Sequence, residues 1–359
     1  MNLRIPGPTP LPPEVQAALG AEMIDHRDSQ FEEMLREVTA HLLEFYQTSG
    51  DVLLLTASGT GGLEAALVNV LSPGDHVLSV CTGHFGQRWA DIARAFGARV
   101  TQLDAPWGQG LQPAAVERVL HDHPDIRLLL TTHNETSTGV LNDLASLAGV
   151  LHALGSRRPL WLVDAVSSLG AVDLPMDPWG CDLVVSASQK AWMAPPGLAF
   201  VSVSPRAWEA MAQARCPRFY WDLRAARASA ARGQTPYTPA VSALFGLRAA
   251  LRLMAAEGLP AIVQRHNLVA AHTRRGLRAL GLHLFAAEGC ASPTVTAAYV
   301  PDGTSAVAIK HRLLDEHGIA VAAGMGSFKD QVLRIAHMGY CTTSDIDNVL
   351  LALDTVLSS

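Results

Sequence analysis

The chain is short of several things. Charged residues make up 17% of its 359 residues and aromatics 6%, and no long run of like charge occurs. With a formal charge of -6 there is no basic patch to displace counterions, so no nucleic-acid partner is expected. The five cysteines, Cys81, Cys181, Cys216, Cys290 and Cys341, are scattered and form no C-x-x-C pair. That pattern suggests neither a disulfide framework nor a zinc site, and no metal is expected. Long apolar runs are also missing. Gly, charged or polar residues interrupt every stretch well before the ~20 residues a bilayer needs. The N-terminus, MNLRIPGPTPLPPEV, is broken by proline and lacks the apolar stretch of a secretion signal. The expectation is a chain with no membrane association in a reducing cytoplasm.

What is present is a large apolar fraction, 49%, in a chain longer than one typical core, which points to two domains. Seven short apolar runs, at 51–56, 76–80, 98–103, 126–132, 159–164, 182–187 and 198–203, read as buried strands. Helical patterns at 60–71, 86–96, 113–122 and 142–154 lie between several of them. Such alternation predicts an α/β fold, its mainly parallel sheet covered on both faces. Residues 215–239, rich in Arg, Pro and Gly, read as a long exposed segment. A helix is expected at about 240–256. Residues 260–359 then read as helix, strand, helix, two short strands and helix, a smaller α+β domain.

The residues that carry chemistry sit at the ends of the predicted strands. Lys190 closes SASQK. A lysine at a strand exit is ordinarily a solvated one, but in a desolvated site its amine is nucleophilic toward an aldehyde. Asp164 ends the preceding strand, in WLVDAVSSLG. Both therefore lie along the edge where open α/β sheets build their ligand crevice. A carboxylate there can cap a helix, or pair with a protonated pyridine nitrogen and keep that ring an electron sink. In TASGTGGLEAAL, Ser58, Gly59 and Thr60 open a helix after a strand and offer amides and hydroxyls to one phosphate. The stretch matches neither G-x-G-x-x-G nor G-x-x-x-x-G-K-[ST]. Phe85, in HFGQRW, can stack on a flat ring or seal the core. HNETSTG (133–139) puts hydroxyls at the sheet edge, as an ordinary Ser/Thr turn also would. Arg334 lies inside the apolar strand of QVLRIAHMG, where it must meet an anion or point outward.

In order, PGPTPLPPEV (6–15), SGTGGLEAAL (58–67), GHFGQRW (83–89), ETSTGV (135–140), VDAVSSLG (163–170), SQK (188–190), TPYTPAVSAL (235–244) and RIAHMG (334–339) resemble the class V aminotransferases of pyridoxal-phosphate (PLP) fold type I. The resemblance is closest to the alanine–glyoxylate and serine–glyoxylate aminotransferases. It implies a large PLP-binding domain over 15–255 with a seven-stranded, mainly parallel sheet. A small α+β domain over 256–359 would follow, with residues 1–14 packed at the interface. It further implies that Lys190 holds pyridoxal 5'-phosphate as a Schiff base, that Asp164 pairs with the pyridine nitrogen, and that Phe85 stacks on the ring. Val166 would pack beneath the ring and Thr136 lie near its hydroxyl. Ser58, Gly59, Thr60 and Gln189 match phosphate-binding positions. Thr238 would reach the phosphate of the neighbouring subunit of a homodimer with shared sites, and Arg334 would bind the substrate carboxylate.

The implied reaction is ping-pong transamination between a small amino acid, alanine or serine, and a 2-oxo acid such as glyoxylate or pyruvate. A PLP lyase of the cysteine-desulfurase kind is the competing reading, as is another donor: ureidoglycine, aspartate or an aminophosphonate. Two departures stand out. Gln234-Thr235-Pro236, with Tyr237 shifted, occupies a stretch where some relatives place a tyrosine near the phosphate. Asn134 stands where some relatives have glycine.

Overall fold

The computed structural model describes residues 1–358. All seven apolar runs form strands of one sheet. From one edge to the other the order is Asp51–Ala57, Gly197–Val203, Leu183–Ala187, Leu160–Asp164, Ile126–Thr132, His76–Cys81 and Arg99–Asp104. Gly197–Val203 is antiparallel to both neighbours and the remaining pairings are parallel. The fold class expected from sequence is the one observed. The central strands are buried on both faces, which is why they read as continuous apolar runs rather than alternating ones. One core lies on each face of the sheet: Leu129, Trp161, Val163 and Phe200 on one side, Leu128, Leu130, Leu162 and Val185 on the other.

The strand ends place the chemistry. Asp164 is the last residue of its strand and pairs with Thr132 and Val185 on the two flanking strands. Helix Gly59–Val70 starts directly beyond the end of Asp51–Ala57. It packs so closely on the sheet that a Cβ on Gly62 would lie 2.9 Å from Val185.

A three-stranded antiparallel sheet forms farther along the chain, with Val332–Ala336 between Val295–Tyr299 and Ala322–Ala323. Helices Leu259–Ala279, Ala306–His317 and Thr343–Ser358 contribute to its core. The N-terminal strap joins this region to the lysine loop. Asn2–Leu3 pairs with Ile319–Ala320, and the Ala336 amide donates to the Arg4 carbonyl at 2.8 Å. Farther along the strap, the Thr9 hydroxyl donates to the Lys190 carbonyl at 2.8 Å.

Residues 215–239 are not the uniformly exposed segment expected. They contain the helix Leu223–Ala230, with Leu223, Ala226 and Ser229 buried. Asn69 holds its start, accepting from the Leu223 amide at 3.2 Å and donating to the Trp221 carbonyl at 2.6 Å. The many arginines masked the i, i+3 apolar pair. Sequence reading also placed no helix at Ser29–Tyr46. The signals were there: an Asp28 cap and apolar residues Phe31, Met34, Leu35, Val38, Leu42 and Phe45 at helical spacing.

Candidate active site

A cavity of about 270 Å³ opens at the strand ends. Nine of the residues singled out from sequence line it: Ser58, Gly59, Thr60, Phe85, Thr136, Asp164, Val166, Gln189 and Lys190. Asn134, noted from sequence as a departure near the substrate entrance, lines it too, and Arg88, Ser167 and Leu63, to which sequence reading gave no role, complete the lining. Arg88 was findable, because it lies one helical turn after Phe85 and so shares its face. Its guanidinium sits 4.7 Å from the Phe85 ring centroid and donates to the Thr60 hydroxyl at 3.3 Å.

Asp164 is 4% exposed. One carboxylate oxygen accepts from the Val166 amide at 2.9 Å, an Asx turn rather than a helix cap, since no helix follows. Burial pushes its carboxyl up to about 7, against the pull of that amide. Lys190 is pushed the other way. Burial brings its amine down to about 8, with the Asp164 charge opposing and the Arg334 and Arg88 charges assisting. The amine donates to the Pro6 carbonyl of the N-terminal strap. Gly7 follows with a φ of +120°, and a Cβ there would lie 2.6 Å from Lys190 Nζ. Glycine is therefore what lets the strap cross the lysine.

At the helix Gly59–Val70, the Ser58 side chain accepts from the Gly61 amide at 3.3 Å. The Gly59 and Thr60 amides belong to the first turn, which has no intrahelical acceptors. A Cβ on Gly59 would stand 3.0 Å from Val166, so the loop after Asp164 closes directly onto this helix start.

Arg334 is central in its sheet and 8% exposed, so it is not a solvent-facing edge residue. Its Nε donates to the Ala323 carbonyl at 2.8 Å and Nη1 to the Thr136 carbonyl at 3.0 Å. Among the described residues no carboxylate forms an ion pair with it. Burial lowers its guanidinium to about 10, which leaves it charged. Thr238 is exposed and lies outside this cavity, in a surface groove with Leu19, Met23 and Pro195.

The arrangement fits the cofactor that the resemblance implies. A buried carboxylate with one backbone donor suits a cationic ring nitrogen. A desolvated amine suits an aldehyde, and a helix start with two hydroxyls suits a phosphate. Buried Gln189 Oε1 and Asn134 Oδ1, both on residues of the cavity wall, have no hydrogen-bond partner among the described residues. Among the described residues, no group of three or more His, Cys, Asp or Glu is placed to hold a metal ion, and no helix is long and apolar enough to cross a membrane.

Comparison with known proteins agrees with the geometry. Residues 5–349 match the family described as aminotransferase class-V. The soluble hydrogenase small subunit of Synechococcus sp. (strain PCC 6716) is 46% identical, over 99% of this chain and 92% of its own length. L-aspartate–glyoxylate aminotransferase of Paracoccus denitrificans is 40% identical, over 94% of this chain and 86% of its own. Among solved structures, alanine–glyoxylate aminotransferase from Nostoc sp. superposes with a TM-score of 0.95 at 32% identity, covering 99% of this chain and 94% of that one.

Proposed function

The chain belongs to the class V aminotransferases and is a PLP-dependent transaminase, and from that premise we propose that it moves the amino group of alanine or serine to a 2-oxo acid such as glyoxylate or pyruvate. The observation that carries the reading is Asp164 and Lys190 at adjacent strand ends in one cavity, with Arg334 close enough to depress the lysine.

When bound, PLP supplies an electron sink for the pair left on the substrate Cα. Asp164 keeps a proton on the ring nitrogen, the partner its buried carboxylate otherwise lacks. Phe85, Val166 and Thr136, all in the cavity wall, would hold the ring: Phe85 and Val166 by apolar contact and Thr136 at its hydroxyl. Ser58, Gly59, Thr60 and Gln189 bind the phosphate. Arg334 receives the substrate α-carboxylate, and its bonds to the Ala323 and Thr136 carbonyls fix the plane of the fork. Lys190 would hold the cofactor and would move the proton on the substrate Cα, a task for which an amine near 8 is well matched. The same groups serve donor and acceptor in turn, so ping-pong kinetics follow.

We assign the exposed stretch around Thr238 to the interface of a homodimer, with Thr238 reaching the partner's phosphate site. Phe219 is 80% exposed, and Tyr220 stacks on Tyr237 with centroids 5.0 Å apart. Such a surface suits burial against a second copy. The desulfurase alternative needs a reactive thiolate. Cys341 is buried with its thiol pushed up to about 11, and burial also raises Cys290. Neither lines the cavity.

The test is the visible absorbance of PLP-loaded protein during addition of single amino acids, followed by glyoxylate or pyruvate. Loss of the lysine-bound cofactor band with alanine or serine, and its return with the 2-oxo acid, is the expected result. An unchanged band with both amino acids refutes this donor assignment.

A further inference from the structure

Glu135 is fully buried, and the reading above gives it no role. It ends the short strand Asn134–Glu135, which follows Ile126–Thr132 and pairs antiparallel with Val140–Leu141, just before the turn that carries Thr136. One carboxylate oxygen accepts from the Phe85 amide at 3.0 Å and the Gly86 amide at 3.1 Å. The other accepts from the Ser137 amide at 3.1 Å and the Ser137 hydroxyl at 2.6 Å. That hydroxyl in turn accepts from the His84 amide at 3.0 Å.

The helix His84–Ala95 follows Gly83, which cannot cap it with a side chain. Glu135 supplies the cap from another element, and the positive end of the helix favours its charge. The fit leaves no slack, since a Cβ on Gly83 would stand 2.4 Å from Ser137 Oγ and 2.6 Å from Glu135 Cγ. The same helix turn carries Phe85 and Arg88. The next residue, Thr136, presents its carbonyl to Arg334.

We propose that Glu135 is a positioning residue that fixes the ring-stacking and carboxylate-binding halves of the site to each other, locking the Phe85 helix turn to the loop whose Thr136 carbonyl holds Arg334. The proposal rests on the PLP and substrate-carboxylate roles assigned above. Positioning and bare charge act in opposite directions here. Removing the Glu135 charge leaves Arg334 less compensated, which by charge alone tightens carboxylate binding. Loss of position loosens it.

The test uses the PLP-loaded enzyme and the variants Glu135→Gln, Ser137→Ala and their combination. The glutamine best keeps its carbonyl on the Phe85 and Gly86 amides, which turns its NH2 toward the Ser137 amide and sets donor against donor. Ser137→Ala keeps the carboxylate and its three amide donors but cuts the hydroxyl tie. Two readouts are taken: the dissociation constant of propionate, a carboxylate that cannot react, and the circular dichroism of the visible cofactor band. The KM and kcat for donor and 2-oxo acid accompany them. Propionate binding and both KM values are expected to weaken about tenfold in Glu135→Gln and less in Ser137→Ala, with kcat changed less than KM and the dichroic band altered. The double variant is expected to be no worse than Glu135→Gln, because the two groups act as one unit. Tighter propionate binding in Glu135→Gln with Ser137→Ala unchanged overturns positioning in favour of charge. If Glu135→Gln does not fold, Ser137→Ala decides, and wild-type values there overturn the proposal. A wild type that binds no propionate overturns the carboxylate site and this proposal together. A wild type that binds it, with variants that bind it equally, overturns only the role of Glu135.

Discussion

Asp164→Asn should stabilise the cofactor-free protein and disable the loaded one, with a pH signature that no packing effect imitates. Burial raises the Asp164 carboxyl from 3.8 to about 7. Below pH 4 it is protonated in both folded and unfolded chains, so its contribution is then complete. Between about 4 and 7 the unfolded chain ionises while the folded one does not, and stability falls by about 1.4 kcal/mol per pH unit. Above 7 the loss is complete, at about 4 kcal/mol as an upper bound, since water entry and local relaxation reduce the cost. Asparagine has the same shape, can still accept from the Val166 amide and does not titrate.

The cofactor-free variant should therefore gain about 2–4 kcal/mol over the parent at pH 8, a smaller margin at pH 5, and little at pH 4. Urea unfolding at the three pH values reads this as a midpoint difference that grows with pH. The loaded variant should show the reverse, with weaker cofactor retention and slower turnover, because asparagine cannot hold a proton on the ring nitrogen. A midpoint difference independent of pH, or a variant less stable than the parent at pH 8, would refute a carboxylate held against its desolvation cost.

Three further outcomes follow from the same geometry. The rate at which cofactor-free protein captures PLP should rise with pH through about 8 and level off above about 9, where the Lys190 amine is mostly neutral; stopped-flow absorbance that keeps rising past pH 10 would mean an unshifted lysine. Arg334→Gln removes a charged donor to carboxylate, a bond of about 1.5–3 kcal/mol, so kcat/KM for alanine should fall about 10- to 100-fold while that for ethylamine, which has no carboxylate, stays put; equal losses for both amines would place Arg334 elsewhere in the reaction. Gly7→Ala puts a Cβ 2.6 Å from Lys190 Nζ at a φ of +120°, which costs about 1–3 kcal/mol in the backbone alone; slower PLP capture with little change in the fold's circular dichroism is expected, and wild-type capture would show that the strap moves aside freely.

The sheet was legible because strands buried on both faces have no polar alternation to disguise them, and each apolar run from 51–56 to 198–203 became one. Asp164 and Lys190 were legible for a related reason, since an ionisable residue closing such a run stands out against the run. Glu135 gave no such signal. ETST after a strand reads as an exposed polar turn, and only tertiary structure brings amides at 85 and 86 onto its carboxylate. The Arg334 bond to Thr136 spans 198 positions, and no local pattern encodes it. Helix Leu223–Ala230 was missed because its burial depends on Asn69, a residue far back in the chain, while its own composition advertises charge.

Asp164 and Lys190 in the cavity wall and Arg334 behind Thr136 are each displaced from their ordinary state by burial, and each lacks a different complement. Asp164 is a carboxylate in need of a cation, Lys190 an amine held close to neutrality, and Arg334 a guanidinium without an acid partner. Among the described residues they form no ion pair with one another; Lys190 instead donates to the Pro6 carbonyl and Arg334 to two carbonyls. A structural ion-pair network would have paired these groups during folding. On the function proposed above, the site is completed from outside, by a cationic ring nitrogen, a carbonyl carbon and a carboxylate together. PLP supplies the first two of these and an α-amino acid the third. That is why the site reads as one for transamination more strongly than any one of its residues does.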